Sequence, residues 1–259
     1  MFREKMKTPA IPERVYTLCK IVEKKPLPVK ELKNKMEPDC LQQSTSYFFD
    51  YREAAEELGL ISIADETAAL AVSPSVVRSL ADMRRYVNGR LETFADGQFY
   101  RVTKAYYARG VKVLYGEQNV ASLAPALEQE LGVSLDAKAM RAWRFWIAYL
   151  GLGYLHDMFI VPNAADFLYD LISCADFEKN RTYSFGEFIE RLLPCARIVI
   201  DGEPSNRQLS YGVSNGLRTL HDAGILRMEH ILDQEDIWSL YPLKAHAVET
   251  TVTNVTIFK

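Results

Sequence analysis

The chain has 259 residues, 48% hydrophobic and 25% charged, with a formal net charge of −3. That length holds one large domain or two to three small ones, and the composition is that of a chain able to bury a core. A pI near 5.9 excludes a protein that coats nucleic acid by overall basicity, so any nucleic-acid surface must be local.

Residues 1–9 read as a mobile basic tail. After Pro12, the run PERVYTLCKIVEKK places Val15, Leu18, Cys19 and Val22 on one helical face, and proline at the first turn suits a helix start. Pro26 and Pro28 stop it. A short second helix follows, PVKELKNKM, with Val29, Leu32 and Met36 inward, then a Pro38-Asp39 turn. QQSTSYFFDYREAAEELG predicts a third helix, capped by its Ser/Thr cluster and ended at Gly59, where a left-handed residue is needed. Two short strands, Leu60–Ala64 and Ala68–Val72, flank the polar turn Asp65-Glu66-Thr67 before Pro74. Three helices followed by a β-hairpin is the layout of a winged-helix domain.

The connector from Ser75 to Tyr115 predicts two helices broken near Asn88-Gly89 or Asp96-Gly97. SLAPALEQELG is a short helix ending at Gly132, and Ser134 or Asp136 caps the next. That next helix, Ala137–Leu150, ends at Gly151, followed by a strand, a His156-Asp157 turn, the strand MFIV and Pro162. Ser184 and Glu187 match a capping box for a helix over Ser184–Leu193, and RIVIDGEPSNRQ is a strand or loop. The helix Leu209–Ala223 ends at Gly224, followed by the strand ILRMEHI, the turn LDQED, the strand IWSLY and Pro242. The terminal VETTVTNVTIFK, with Val252, Val255 and Ile257, predicts a strand that pairs with a wing or with a partner.

The glycine-ended helix and hairpin thus recur at Gly59, Gly151 and Gly224. The spacing is unequal, unlike a solenoid. The expected fold is mainly α with small β-hairpins (α+β): tandem winged-helix domains, three in number, joined by a helical connector. The boundaries are a tail at 1–9, a first unit at 10–76, a connector at 77–117 that can supply the first helix of unit 2, a second unit at 118–180, and a third unit with the C-terminal strand at 181–259.

Catalytic signatures are missing from the sequence. It has no G-x-x-x-x-G-K-[ST] loop, G-x-S-x-G elbow or H-E-x-x-H pair, and GLGYLH stops a helix where a dinucleotide site would begin one. His156-Asp157 and His221-Asp222 raise a metal phosphohydrolase, but one falls in a predicted wing turn and further ligands are lacking. Asp201 and Glu203 have no Glu-x-Lys beyond them, as a metal-dependent nuclease core would need. Cys19, Cys40, Cys174 and Cys195 form no C-x-x-C and read as reduced thiols of a cytosolic protein. The N-terminus lacks a signal-peptide apolar region, and no run approaches the about 18 apolar residues of a membrane span. No catalytic residue, cofactor or metal is expected.

Binding remains. A winged helix lays its third helix in the major groove. In unit 1 that helix start offers Gln42, Gln43, Ser44, Thr45, Ser46 and Tyr47, with Arg52 further on; glutamine can pair two-pronged with adenine, and hydroxyls reach phosphates. The acidic Asp65-Glu66 tip should be held away from the backbone. In unit 2, Lys138, Arg141 and Arg144 form a stripe; in unit 3, Arg207, Gln208, Ser210, Tyr211, Ser214, Asn215 and Arg218 form a polar face. Arg84 and Arg85 lead the basic connector, and lysines crowd the first 35 residues. Against these stand ordinary readings: capping residues at helix starts, and solvated faces with intrahelical pairs. Trp143 and Trp146 read as core rather than as a base-stacking platform.

The runs WRFWIAYLGLGYLHDMFIVPNAADFLYDLI, FGEFIERLLP, DGE, LSYGVSNGLRTLHDAGILRMEHILDQEDIWSL and VTNVTI resemble the DpdG family, over most of Trp143 to Ile257. That family accompanies bacterial islands that insert 7-deazaguanine derivatives into DNA and restrict unmodified DNA. The resemblance rests on order and pattern and brings no catalytic residue with it. It implies a DNA-modification or phage-defence setting, as an accessory component beside an ATPase, helicase or nuclease. The three glycine-ended helices with hairpins and the basic N-terminal half, independently of the resemblance, give the expectation of a non-enzymatic protein that binds double-stranded DNA and a partner protein, with a homodimer as the interaction-protein alternative. The rivals are a kite-like subunit of an SMC-type complex, with the C-terminal strand adding to a partner, and a plasmid or phage replication initiator.

Overall fold

The computed structural model describes the chain except for residues 39, 41–44, 116–118, 201–206 and 259. It is an α+β protein in which small antiparallel sheets sit among helices.

Helix α1 (Pro12–Glu23) starts on a proline and buries Val15, Leu18, Cys19 and Val22. Strand β1 (Leu27–Pro28) leads into α2 (Val29–Met36), then α3 (Phe48–Glu57), β2 (Ile61–Ala64) and β3 (Thr67–Leu70). The sheet order is β1-β3-β2. Asp65 and Glu66, with φ of 47° and 56°, close β2 onto β3 in two residues, the turn whose twist matches paired strands. The connector is α4 (Leu80–Asn88), a tight turn at Leu91–Phe94 and α5 (Gln98–Ala108), so it breaks at both of the expected places. Next come α6 (Ala124–Leu131), α7 (Ala137–Tyr149), β4 (Gly153–His156) and β5 (Phe159–Pro162). Asp136 caps α7 by accepting from the Ala139 N–H at 2.7 Å. Beyond lie α8 (Ala165–Cys174), β6 (Arg181–Ser184), α9 (Phe185–Ala196), α10 (Tyr211–Asp222), β7 (Leu226–Glu229), β8 (Trp238–Ser239), β9 (Thr251–Val252) and β10 (Asn254–Ile257). Ser184 caps α9 through the Glu187 N–H at 3.1 Å.

The threefold pattern is carried by backbone hydrogen bonds. Helices α3, α7 and α10 end at Gly59, Gly151 and Gly224, with φ of 66°, 73° and 65°. At each, the next residue donates back into the helix: Leu60 to Ala55, Leu152 to Ile147 and Ile225 to Leu220, all at 3.0 Å. This is the bond a left-handed glycine makes possible. The residue opening the preceding helix or turn donates to the carbonyl just before the last strand: Val29 to Glu66, Val120 to Met158 and Phe185 to Thr253. The residue after that strand then donates to the one after the glycine: Ala71 to Leu60, Asn163 to Leu152 and Phe258 to Ile225.

The third repeat departs from the expected hairpin. Strand β7 does not pair with the segment IWSLY; it pairs with β10, whose other edge takes β6, in the order β6-β10-β7. The last strand of the repeat is therefore the C-terminal one, and residues 230–253 are an insertion in which β8 pairs with β9. Both edges of β10 are thus paired and all four of its residues are buried, so it offers no free edge for strand addition to a partner. Helix α8, whose residues fall within the bounds given for unit 2, packs on α4, α9 and α10.

Residues 1–9 are not a loose tail. Met1, Phe2 and Met6 are buried, and the Phe2 ring lies 5.4 Å from Phe94, 5.0 Å from Phe99 and 4.8 Å from Trp146. Burying such side chains outweighs the solvation of the intervening charges. Trp143 and Trp146 are fully buried and donate to Thr103 Oγ1 and to the Ala10 carbonyl, as core residues do.

Candidate nucleic-acid interface

Helices α3, α7 and α10 occupy equivalent places in the three repeats but present different surfaces. Gln42, Gln43 and Ser44 lie outside the described residues. Helix α3 starts at Phe48, later than the polar run, and Thr45 and Tyr47 precede it. Glu37 gathers this corner: it accepts from Ser46 Oγ at 2.6 Å, the Tyr47 N–H at 3.0 Å and the Tyr51 hydroxyl at 3.1 Å. Burial pushes the Glu37 carboxyl up, but those hydrogen bonds outweigh it and hold the group below the ordinary glutamate value. Arg52 is not offered to a phosphate: it sits 3.3 Å from Glu56 and stacks over Phe49. The flank of α3 is acidic and is met by the N-terminal segment, with Lys7 Nζ 2.6 Å from Glu53 and 3.3 Å from Asp50.

Helix α10 is covered. Arg218 is 3% exposed and donates to the carbonyls of Tyr241, Val248 and Glu249. Ser214 Oγ accepts from the Tyr241 N–H at 2.8 Å, and Asn215 faces the Pro162 carbonyl. A Cβ on Gly216 would lie 2.7 Å from the Ala164 carbonyl carbon, so α8 touches the backbone of α10. Arg207, at φ 45°, donates to the Glu235 carbonyl and approaches Asp236 at 3.6 Å. Gln208 bridges to Ser239. Arg207, Gln208, Ser214 and Arg218 of the expected polar face of unit 3 thus hold the insertion, Asn215 faces β5, and Ser210 caps α10.

Two further expectations are corrected. Arg84 donates to Asp170 through Nε at 2.7 Å and through a terminal nitrogen at 3.2 Å, and reaches Asp166 at 3.3 Å. Arg85 lies 3.5 Å from Asp82 and 3.9 Å from Asp170. Asp170 is fully buried and also accepts from Asn88, so these arginines tie α4 to α8. Arg144 turns inward, 9% exposed, against Met158 Sδ and the Phe145 ring.

Helix α7 is different at its first turns. Lys138 and Arg141 are exposed and form no ion pair among the described residues. They open onto a cleft of about 770 Å³ that also takes Lys5, Lys7, Thr8, Arg14 and Tyr47, with Asp50 and Asp136 as its acids. Lys5 is 3.0 Å from Asp136, and Thr8 donates to the Lys138 carbonyl at 3.2 Å. Five cations thus face two carboxylates, in a chain that is acidic overall. The cleft joins Tyr47, Lys138 and Arg141, which the sequence singles out in separate units. Arg14 was missed, and Lys5 and Lys7, counted among the basic first 35 residues, were placed on a mobile tail; the signal against a tail was the apolar Met1, Phe2 and Met6 among the charges, which marks a packed segment.

Among the described residues no cluster of His, Cys, Asp or Glu could hold a metal ion, all four cysteines are free thiols, and no helix is long and apolar enough to cross a membrane. Comparison with protein-family models, curated proteins and solved structures yields no match.

Proposed function

We propose that this chain is a non-enzymatic DNA-binding protein of three winged-helix units, which meets duplex DNA through the start of α7 and the N-terminal segment beside it. The observation that carries the reading is the cleft around Lys138 and Arg141. Of the three equivalent helices, α7 alone, among the described residues, presents exposed cations that no carboxylate neutralises. The helix order and the sheet order β1-β3-β2, matched by β6-β10-β7, support the winged-helix assignment. The resemblance to the DpdG family supplies the setting, a bacterial DNA-modification or defence system with an ATPase, helicase or nuclease as partner.

Titration of a labelled duplex of roughly 20 bp across about 50 to 200 mM salt tests the reading, and K138A/R141A should lower the slope of log K against log salt by about 2. Absence of binding by the native chain at about 50 mM salt rejects it. Preference for repeated DNA sites would move the assignment to a replication initiator.

A second reading, protein contact as in a kite-like subunit, is favoured by the tip of the β4–β5 hairpin. Tyr154, Leu155 and Met158 are exposed there, an apolar group of the kind that marks interaction sites.

A further inference from the structure

We propose that copies of this chain associate head to tail, with the acidic turn Leu232–Glu235 of one copy seated in the lysine-rimmed groove beside α1 and β1 of the next. Two surfaces, each with unsatisfied chemistry, carry this.

The groove has a volume of about 460 Å³ and lies where the end of α1, β1 and α2 meet. Ile21 and Leu27 form its floor, and Lys20, Lys24, Lys25 and Lys35 its rim. Lys20 pairs with Glu23 and Lys35 with Glu31, whereas Lys24 and Lys25 have no carboxylate partner among the described residues. The lysine stems extend the apolar wall while their ammonium groups stand at the edge. A nucleic-acid strand would use the charges but leave the floor uncovered, and no aromatic ring lines the groove for a base to stack on. The chemistry fits an acidic peptide turn with an aliphatic anchor.

The chain carries such a turn. In the insertion of the third repeat, Leu232 is 77% exposed, flanked by Ile231 and Ile237, both more than 40% exposed. Asp233, at φ 70°, turns the chain. Asp233 and Glu235 have no cation partner among the described residues, while Asp236 is turned inward to the Gly186 N–H and Trp238 Nε1. An aliphatic anchor with two unpaired carboxylates thus matches an aliphatic floor with two unpaired ammoniums. The groove belongs to the first repeat and the turn to the third, so each copy carries both halves of the contact, and association is head to tail. Neither surface includes Lys138 or Arg141, so the DNA cleft stays open.

Sedimentation of the full chain tests this. The weight-average mass should rise with protein concentration up to roughly 200 μM at low salt and fall back to the monomer at about 0.5 M salt, because the rim pairs are exposed and the contact is small. K24E/K25E and D233K/E235K should each be monomeric alone, and their equimolar mixture should associate again. The proposal is overturned if the native chain is monomeric throughout, if either charge-reversed variant associates like the native chain, or if the mixture stays monomeric. Binding of a peptide of sequence ILDQEDIW to a chain that does not self-associate would also overturn it, by giving the groove to an acidic segment of another protein. Loss of duplex binding in K24E/K25E with unchanged mass would overturn it in favour of nucleic acid.

Discussion

Gly151 and Gly224 end equivalent helices in the same left-handed conformation, yet a methyl group would meet different surroundings. At Gly224 no atom lies within 4 Å of the added Cβ, whereas at Gly151 it would fall 2.4 Å from Asp166 Cβ and 2.7 Å from the Phe167 nitrogen. Gly224→Ala should therefore cost only the left-handed penalty, about 1–2 kcal/mol, and Gly151→Ala distinctly more, as read by urea unfolding. Arg84→Ala should destabilise by about 3–5 kcal/mol, because it leaves the buried Asp170 carboxylate without its main partner; the same melts check it. The glycines were legible in the sequence because the chain must reverse within one residue of each. The fates of Arg84, Arg144 and Arg218 were not. Helical spacing reports which side chains share a face, but Asp170, Met158 and the Tyr241 carbonyl come from distant segments, and they decide whether a cation faces water.

Helix α10 is covered by an insertion whose pairing the sequence pattern does not decide. The sequence marks β7 by its alternating Leu226, Arg227, Met228 and Glu229, but IWSLY and VTNVTI both suit a strand, and periodicity does not choose between partners. The choice falls to β10, which buries all its side chains between two neighbours. Arg218 then pins residues 241–249 over α10. Arg218→Met should speed amide exchange across that stretch, and, on the proposed function, leave duplex affinity unchanged, since the cleft at α7 is elsewhere. The end of α10 also carries a proton-linked contact. His221 Nδ1 accepts from the Met228 N–H at 3.0 Å. Burial, aided by the neighbouring His246, holds its pKa below the ordinary histidine value. Asp222, Arg227 and Glu229 share that surface. The unfolded chain then takes up the proton first, so the stability from neutral His221 is full above roughly pH 6.5 and is lost as pH falls toward the depressed native value. His221→Asn should flatten the stability profile in that window in urea melts.

The three repeats do not behave as beads on a string. One continuous hydrophobic core runs from Met1 to Ile257. Phe2 bridges the N-terminal segment to α7, Arg84 ties α4 to α8, and the Ala164 N–H donates to the Gly212 carbonyl across the second and third repeats. Such a molecule should unfold in one cooperative step, with far-ultraviolet circular dichroism and tryptophan fluorescence giving coincident urea transitions. Two separate midpoints would contradict it. The repeat itself was readable, because each copy carries its own glycine and turn. The fusion of the copies was not, because it rests on aromatic and ionic contacts between segments far apart in the chain.

Strand β10 has a kinetic consequence. In the first repeat a two-residue turn brings β2 and β3 together, so that sheet can form from local contacts. In the third, β6 and β7 have no partner in their sheet until the last strand arrives, after the whole insertion has been traversed. Loop-closure entropy rises with that path, and distant pairing is slow. The same sheet order is thus reached early at one end of the molecule and late at the other. Trp238, buried on β8 beside the insertion's closing strand, is placed to report the last phase of refolding.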